Sequence, residues 1–281
     1  MSIKKCMLIG DPVEHSLSDS LHNIIYDYFG LKDWRYIKKR VPGNELENFT
    51  KEATKTGCIG FNVTIPHKQA VMPYLDGTSD AVKKMGAVNT VKNENGKLTG
   101  HNTDWKGFIE DIEQELGIGQ GGDEHILLLG AGGAARAVVY GLKKMGKKNI
   151  FIYDINRERA LNLADEFSLC LVEKEDLGFH RSRAKFLINA TPLGMKKEEP
   201  SPLRLDDSRD DLRVYDLIYN RETELLKSAR EMGLRAASGE GMLAGQGIEA
   251  FRIWSGFNIR DDEKRELKDR ITGFIREEVG K

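Results

Sequence analysis

The chain has 281 residues, of which 43 are basic and 44 acidic, and a formal net charge of −1. This balance, without a dense basic stripe, argues against a role in binding nucleic acid. No apolar run approaches the length of a membrane span, and the start Met1–Lys5 leads into a strand-like stretch rather than a signal-peptide core, which predicts a cytoplasmic protein.

The first hundred residues alternate short apolar strands with amphipathic helices. Strand character is found at 6–9, 34–41 and 60–65, and helical periodicity at 18–29 and 45–56. This βαβ order predicts an α/β domain with a mixed or parallel sheet. A hairpin turn is predicted at 93–97.

The segment Gly60–Lys68 and the later turn Asn102–Asp104 carry groups suited to moving a proton on a polyhydroxylated substrate. Lys68 ends a β-branched run, and Asp104 adds a carboxylate beside amide and hydroxyl side chains. Reduction of a ring ketone needs a hydride at carbon and a proton at oxygen, so one group must donate in one direction and accept in the other. Burial favours the neutral amine of Lys68, whereas Asp104 nearby favours the ammonium, and the sequence leaves that balance open.

A glycine-rich stretch, Gly117–Gly122, follows a predicted helix and has the composition of a linker. A second βαβ unit begins just beyond it, at 125–129. Its first strand runs directly into a turn made of Gly130, Ala131, Gly132, Gly133 and Ala134. Such a turn lets a pyrophosphate approach the backbone at the amino end of a helix. Because an acidic residue, Asp154, ends the next strand, the pattern predicts dinucleotide binding.

Asp154 also bears on which dinucleotide is bound. A carboxylate at this position accepts ribose hydroxyls and repels a 2′-phosphate, so NAD is predicted in preference to NADP. Asn156 and Arg157 support the alternative, NADP, because a guanidinium there would bind a phosphate in bidentate fashion.

The rest of the chain extends this second domain and ends in helices. Strands are predicted at 186–189 and 214–219, with the turn Ala190–Met195 after the first and a helix at 222–232 after the second. A glycine-loosened turn at 239–243 leads into the last helices, which are expected to pack back on the first domain.

These motifs, in this order, resemble the shikimate/quinate dehydrogenase family. The match includes Ser16-Leu17-Ser18, Asn62-Val63-Thr64 with Lys68, Gly86-Ala87-Val88-Asn89-Thr90, Asn102-Thr103-Asp104, the Gly130 turn, Asn189-Ala190-Thr191-Pro192 and Gly241-Met242-Leu243 with Gln246. The resemblance implies two α/β domains. A substrate-binding and catalytic domain is expected over 1–104, completed by helices at 239–281, and a Rossmann domain that binds NAD(P) over 105–238.

Carried over by position, the resemblance implies that Lys68 is the catalytic acid and base and that Asp104 is its partner. Ser16 and Ser18 match the pair that holds the substrate carboxylate. The other positions that match substrate contacts are Thr64, Asn89, Tyr219 and Gln246. Outside the Gly130 turn, the positions that match cofactor contacts are Thr191, Leu217 and Gly239.

The resemblance implies reversible hydride transfer between a nicotinamide cofactor and 3-dehydroshikimate or shikimate, in aromatic amino acid biosynthesis through chorismate, with quinate as a further substrate. NADP-using members carry Asn-Arg-Thr after the second strand of the Rossmann domain. An ungapped comparison aligns Asp154 and Ile155 with the Asn and Arg of this motif, which favours NAD. Asn156 and Arg157 align with the Asn and Arg only if a two-residue insertion is allowed. Open alternatives are an NAD-dependent quinate dehydrogenase, a dehydrogenase for another hydroxylated ring acid, and a non-catalytic quinate- or shikimate-sensing protein.

The expected partners are small-molecule substrates, without nucleic acid or membrane, and the protein is expected to be a monomer or a homodimer. Widely spaced cysteines without a CxxC pair predict reduced thiols, at Cys6, Cys58 and Cys170. The histidines near the motifs lack ligand spacing, so no metal is expected.

Overall fold

The computed structural model describes residues 3–280, which divide into two compact units. The first unit comprises Met1–Asp104 and Ala244–Arg276, and the second comprises Trp105–Leu243 and Glu277–Lys281. Each unit has one six-stranded sheet. Residues 1, 2 and 281 lie outside the described residues, as do the predicted chain start and the last residue of the predicted 239–281 segment.

The described residues form twelve strands and eleven α-helices, which confirms the α/β fold class. The strands are β1 (Lys4–Gly10), β2 (Trp34–Arg40), β3 (Cys58–Val63), β4 (Gly77–Thr78), β5 (Thr90–Glu94), β6 (Lys97–His101), β7 (Ile126–Leu129), β8 (Ile150–Tyr153), β9 (Cys170–Leu171), β10 (Phe186–Asn189), β11 (Arg213–Asp216) and β12 (Arg235–Ser238). The helices are α1 (Ser18–Tyr28), α2 (Leu46–Ala53), α3 (His67–Ala70), α4 (Asp80–Met85), α5 (Asp104–Leu116), α6 (Gly133–Lys144), α7 (Arg157–Phe167), α8 (Leu177–Arg183), α9 (Glu224–Glu231), α10 (Glu240–Ser255) and α11 (Asp261–Val279). Within residues 3–280, none of the helices combines the length and the apolar character needed to cross a membrane.

The first sheet is mixed, in the order β2-β1-β3-β5-β6-β4. β1 lies parallel to β2 and β3, whereas β5 runs antiparallel to β3 and β6. The predicted hairpin turn joins β5 to β6, with Asn95 and Gly96 in the left-handed region at φ 54° and 85°. The register pairs Asn62 with Thr90 and Thr90 with His101, so the polar ends of three neighbouring strands meet.

The C-terminal helix α10 packs on this sheet. The indole N–H of Trp254 donates to the carbonyl of Val91 at 2.9 Å. Gly60 in β3 makes room for the ring, since a Cβ built there would lie 2.3 Å from the indole nitrogen. The next residue, Phe61, packs edge-to-face on Phe49 with 5.1 Å between ring centroids. This packing confirms that the C-terminal helices pack back on the first domain.

The second sheet is parallel throughout, in the order β12-β11-β10-β7-β8-β9. β7 and β10 are buried along their whole length, as expected for strands covered by helices on both faces. The register aligns Leu129, Asn189, Asp216 and Ser238, so four strands end level with one another. This is the strand order of a Rossmann fold, which binds ligands beyond the carboxyl ends of the strands where the order reverses, here at β7 and β10.

Candidate active site and cofactor site

Lys68 and Asp104 form an ion pair in the first unit, in which Asp104 is buried and Lys68 is half-buried. Lys68 lies in α3, just beyond β3, and Asp104 is the first residue of α5. Nζ of Lys68 donates to Oδ2 of Asp104 at 2.6 Å, and the two side chains are 15% and 8% exposed. Asn102 accepts from the amide of Asp104 at 3.0 Å, and the amide of Val88 donates to the carbonyl of Lys68 at 2.8 Å. These contacts hold in place the segments that carry Lys68 and Asp104, the two residues that the sequence predicts to be a catalytic pair.

Asn89 and Gln246 join this pair. Nδ2 of Asn89 donates to Oδ1 of Asp104 at 2.7 Å, so both oxygens of the carboxylate accept hydrogen bonds. The same amide lies 3.3 Å from Oε1 of Gln246, which comes from α10. A buried charge without such partners would be strongly destabilising. We call Lys68, Asp104, Asn89 and Gln246 the polar cluster.

Ser16 and Ser18 lie at the start of α1, and Oγ of Ser16 donates to Oγ of Ser18 at 2.9 Å. The N-cap residue of α1 is Leu17, which makes no side-chain capping bond, and Oγ of Ser16 accepts from the amide of Ser18, the first residue of α1, at 3.2 Å. The two hydroxyls therefore lie at a helix amino end, which favours an anion. Lys38 donates to the carbonyl of Ser16 at 3.0 Å and lies 3.3 Å from Asp19. The sequence predicts the strand that carries Lys38, but no sequence signal indicates that its side chain reaches this loop.

Thr64 and Tyr219 belong to different units. Thr64 directly follows β3, and its amide donates to the carbonyl of Ile9 at 2.9 Å. Tyr219 belongs to the second unit and follows β11. Of the residues predicted to contact substrate, all except Tyr219 therefore lie in the first unit.

The glycine turn at Gly130–Ala134 joins β7 to α6 in the second unit. Gly130 has a φ of 101°, and a Cβ there would lie 2.9 Å from the carbonyl carbon of Ala190, so this turn requires glycine. α6 begins at Gly133 after the N-cap Gly132, and within residues 3–280 no side chain caps it. The first amides of this 12-residue helix are therefore suited to donate to phosphate oxygens.

A buried carboxylate, Asp216, holds the loops after β10 and β11. Its Oδ1 accepts from Nδ2 of Asn189 at 2.9 Å, and its Oδ2 accepts from the hydroxyl of Thr223 at 2.7 Å. Burial raises the pKa of Asp216 to about 6. Asn189 in turn accepts from the amide and the hydroxyl of Thr191, at 3.0 and 2.7 Å. Asp216, which sequence reasoning missed, therefore helps to fix the loop that carries Thr191.

Leu217 and Gly239 meet just beyond the ends of β11 and β12. The amide of Leu217 donates to the carbonyl of Asn189 at 3.0 Å. A Cβ on Gly239 would lie 2.3 Å from the carbonyl oxygen of Leu217, so this close approach of two backbones requires glycine. Thr191, Leu217 and Gly239 thus follow three neighbouring strands at the ligand-binding edge of the Rossmann sheet.

Asp154, Asn156 and Arg157 lie where β8 leads into α7. Asn156 caps α7 and accepts from the amide of Arg159 at 3.0 Å. Nε and Nη2 of Arg157 donate to the carboxylate of Glu173 at 2.6 to 3.0 Å, in a bidentate ion pair. Asp154, Arg157 and Glu173 line a cavity of about 280 Å³.

Known proteins of one family match nearly the whole chain. The family described as "Shikimate dehydrogenase substrate binding domain" matches residues 8–91. The shikimate dehydrogenase (NADP(+)) of Aquifex aeolicus is 38% identical over 265 residues, which covers 93% of this chain and 96% of that protein. The protein of the same name from Methanocaldococcus jannaschii is 40% identical over 276 residues, with coverages of 94% and 96%.

A solved structure agrees with these relatives. The crystal structure of shikimate 5-dehydrogenase from Thermus thermophilus, in complex with NADP(H) and shikimate, aligns with a TM-score of 0.83 at 35% identity. The alignment covers 96% of this chain and 100% of that one. This chain therefore belongs to the shikimate dehydrogenase family of oxidoreductases, which confirms the resemblance seen in its motifs.

The relatives contradict the predicted preference for NAD. The proteins from A. aeolicus and M. jannaschii are named as NADP(+) enzymes, and the T. thermophilus structure contains NADP(H). The prediction treated the carboxylate of Asp154 as free to accept ribose hydroxyls. Its Oδ2 instead accepts from the amide of Ala131 at 2.7 Å, and its Oδ1 from the amide of Asn156 at 2.8 Å. Asp154 thus ties the glycine turn to the start of α7, so an acidic residue here does not identify the cofactor.

Proposed function

We propose that this protein is an NADP-dependent shikimate dehydrogenase, which interconverts 3-dehydroshikimate and shikimate. The observation that carries the proposal is the polar cluster, in which a half-buried lysine lies 2.6 Å from a buried carboxylate. The family to which the chain belongs supports the substrate and the cofactor, because relatives that match over nine-tenths of its length carry this name.

Lys68 acts as the proton donor and acceptor. The nicotinamide cofactor, when bound, supplies the hydride to the ring carbonyl carbon or accepts it from the carbinol carbon. In reduction, the Lys68 ammonium gives a proton to the carbonyl oxygen, which becomes a hydroxyl. In oxidation, the neutral amine takes the hydroxyl proton back.

Asp104 and Asn89 keep Lys68 in position. One N–H of the Lys68 ammonium is directed to Oδ2 of Asp104, which leaves its other protons for the substrate oxygen. The second oxygen of Asp104 accepts from Asn89, so the carboxylate cannot turn freely about its bond to Cβ.

The substrate carboxylate is assigned to the hydroxyls of Ser16 and Ser18. The amino end of α1 favours negative charge there, and the ammonium of Lys38, which is paired with Asp19, donates to the carbonyl of Ser16. Thr64, Asn89, Gln246 and Tyr219 are assigned to the remaining polar groups of the ring. A protein hydroxyl or amide that pairs with each ring hydroxyl discriminates against rings that lack that hydroxyl, because the buried protein group would then stay unpaired.

On the cofactor side, the Gly130–Ala134 turn is assigned to the pyrophosphate, and Thr191, Leu217 and Gly239 to the nicotinamide half. The adenosine 2′-phosphate is assigned to Asn156 and Arg157. The guanidinium of Arg157 already holds a carboxylate in bidentate geometry, and phosphate oxygens match that fork equally well.

A four-way steady-state assay tests the proposal. Shikimate or quinate is paired with NAD or NADP, turnover is followed by the absorbance of the reduced nicotinamide, and the four kcat/KM values are compared. The highest value is expected for shikimate with NADP.

Other outcomes of this assay reject parts of the proposal. A higher value for quinate identifies a quinate dehydrogenase, and a higher value for NAD removes the assignment of the 2′-phosphate to Arg157. If none of the four pairs turns over while calorimetry detects shikimate or quinate binding, the protein is a sensing protein and not an enzyme.

A further inference from the structure

A continuous line of buried hydrogen bonds reaches Asp104 from β2, an edge strand of the first sheet. The hydroxyl of Tyr36 on β2 bonds to Oδ1 of Asn62 on β3 at 2.7 Å. Nδ2 of Asn62 bonds to Oγ1 of Thr90 on β5 at 3.0 Å, and Oγ1 of Thr90 bonds to Oδ1 of Asn89 at 2.9 Å. Asn89 then donates to Asp104 at 2.7 Å. We call Tyr36, Asn62 and Thr90 the relay.

Backbone groups determine the donor and acceptor at each step. The amide of Thr103 donates to Oδ1 of Asn89 at 2.8 Å, so the other end of that side chain, Nδ2, faces Asp104. The carbonyl of Asn89 accepts from Nδ2 of Asn62 at 3.1 Å, so Oδ1 of Asn62 faces Tyr36. The Thr90 hydroxyl, which accepts from Asn62, therefore gives its own proton to Asn89. Every donor in the line is directed toward Asp104.

We propose that Tyr36, Asn62 and Thr90 are positioning residues, which act together with the Thr103 amide to hold the Asn89 amide in the one orientation that donates to Asp104. A reversed Asn89 amide would bring its carbonyl oxygen against the Asp104 carboxylate, and two acceptors repel each other. The inference rests on the proposed role of Lys68, because the catalytic lysine is oriented by Asp104.

Burial makes this arrangement effective. Tyr36, Asn62, Thr90 and Asn89 are all buried, with Thr90 at 0% exposure. Water therefore does not replace a lost partner easily, and hydrogen bonds in series strengthen one another in a medium of low dielectric constant. The ring of Tyr36 is also stacked on His22 at 4.2 Å between centroids, which restricts the direction of its hydroxyl.

Thr90→Val is the first test, because it replaces the hydroxyl with a methyl group of similar size. The expected result is a decrease of about tenfold in kcat for shikimate, the effect of a lost buried hydrogen bond, with the KM for NADP unchanged. Thr90→Ser restores the hydroxyl and is expected to recover kcat to within about twofold of the original protein.

Thr50→Val is the matched control. Thr50 is also a buried threonine of the first unit, but its hydroxyl donates to the carbonyl of Glu47 within α2. The Thr50→Val variant is expected to have a lower melting temperature and an unchanged kcat. A purely structural role of Thr90 would give the same pattern, a lower melting temperature with kcat retained, and would overturn the inference.

Tyr36→Phe provides a second, milder test that removes only one oxygen atom. Its expected effect is a decrease of about threefold in kcat, which should disappear when Asn89 is already replaced by alanine, because residues in one hydrogen-bond network couple. Equal effects of Tyr36→Phe with and without Asn89 would overturn the inference. If the unmodified protein turns over shikimate and Thr90→Val has the same kcat, the role of the relay is refuted and the proposed function stands. If the unmodified protein is inactive, the proposed function itself is refuted.

Discussion

The Lys68–Asp104 pair and the Arg157–Glu173 pair have the same shortest N···O distance, 2.6 Å, but opposite surroundings. The first pair is 15% and 8% exposed, and the second is 61% and 43% exposed. Exposed ion pairs contribute about 0 to 1 kcal/mol, whereas breaking a buried pair costs about 3 to 5 kcal/mol. Burial, and not distance, therefore separates an interaction that is held permanently from one that a ligand can replace.

The difference matches the chemistry proposed for each region. A proton-transfer group must keep one orientation through every turnover, and the polar cluster gives each oxygen of Asp104 its own donor. A phosphate-binding arginine must instead exchange partners. Arg157 is paired with the exposed carboxylate of Glu173, and water and salt screen the attraction between the two charges. Four predictions test this contrast.

Lys68→Ala is expected to have the largest effect. Removal of the proton donor should lower kcat by about 10³-fold, within the range of general acid–base catalysis, while calorimetry still detects shikimate binding. Lys51→Ala is the control, because Lys51 also pairs with a carboxylate at 2.6 Å, that of Glu47, but is exposed. A kcat within about tenfold of the original would show that Lys68 does not transfer the proton.

Asp216→Asn separates burial from pairing, because Asp216 is buried like Asp104 but its partners Thr223, Ile218 and Asn189 are uncharged. Burial raises the pKa of Asp216 to about 6, so the folded state binds its proton more tightly than the unfolded state does. This contribution to stability is complete below about pH 4 and is lost as the pH rises through 6, a change of about 3 kcal/mol.

The asparagine variant cannot titrate. Its free energy of unfolding in urea should therefore rise relative to the original protein by about 3 kcal/mol between pH 4 and 7. Asp211→Asn serves as the control, since Arg209 and Lys185 hold the pKa of the Asp211 carboxyl below its usual range, so its contribution to stability is lost only below about pH 4 and this variant should show no change relative to the original protein between pH 4 and 7. A difference between Asp216→Asn and the original protein that does not change with pH would contradict the expected ionisation of Asp216.

Arg157→Ala tests the exposed region. Loss of a charge-assisted contact to the 2′-phosphate should raise the KM for NADP by about tenfold and leave the KM for NAD unchanged. Arg230→Ala removes another exposed arginine that pairs with a glutamate, Glu222, and should change neither constant. An equal rise in both KM values would indicate a general disturbance of α7 rather than a lost phosphate contact.

Glu173→Gln should have the smallest effect. The carboxylate of Glu173 competes with a phosphate for Arg157, so its neutralisation should lower the KM for NADP by about twofold to threefold at low salt. At high ionic strength the gain should vanish, because exposed charges are screened. A higher KM for NADP would mean that Glu173 orients Arg157 rather than competing for it.

Local patterns in the sequence were sufficient for the fold class and the family. The predicted helix 18–29 corresponds to α1 and the predicted strand 60–65 to β3, because the periodicity of apolar residues follows from which face is buried. The predicted strand 214–219 stops early, at Asp216, whose side chain accepts from the amide of Ile218 and turns the chain. Strand propensity does not include such a side-chain contact.

The Lys68–Asp104 pair was expected from the family resemblance, but other partners that are distant in sequence escaped prediction. Tyr36, Asn62 and Thr90 lie on three strands, and only the sheet order and register bring their side chains into one line. The prediction of NAD failed for the same reason, because the donors to Asp154 include the amide of Ala131, which precedes it by 23 positions.

The sequence by itself determined the residue types that the chemistry needs and the turns that carry them, such as Lys68 after β3 and the glycine at 130 where φ is positive. Those features depend on neighbours within a few residues, so they can be read along the chain. Only the tertiary structure decided which charges are buried and which oxygen accepts from which donor. Strand pairing and helix packing set those partners, and the energy of a polar contact depends on the water that they exclude.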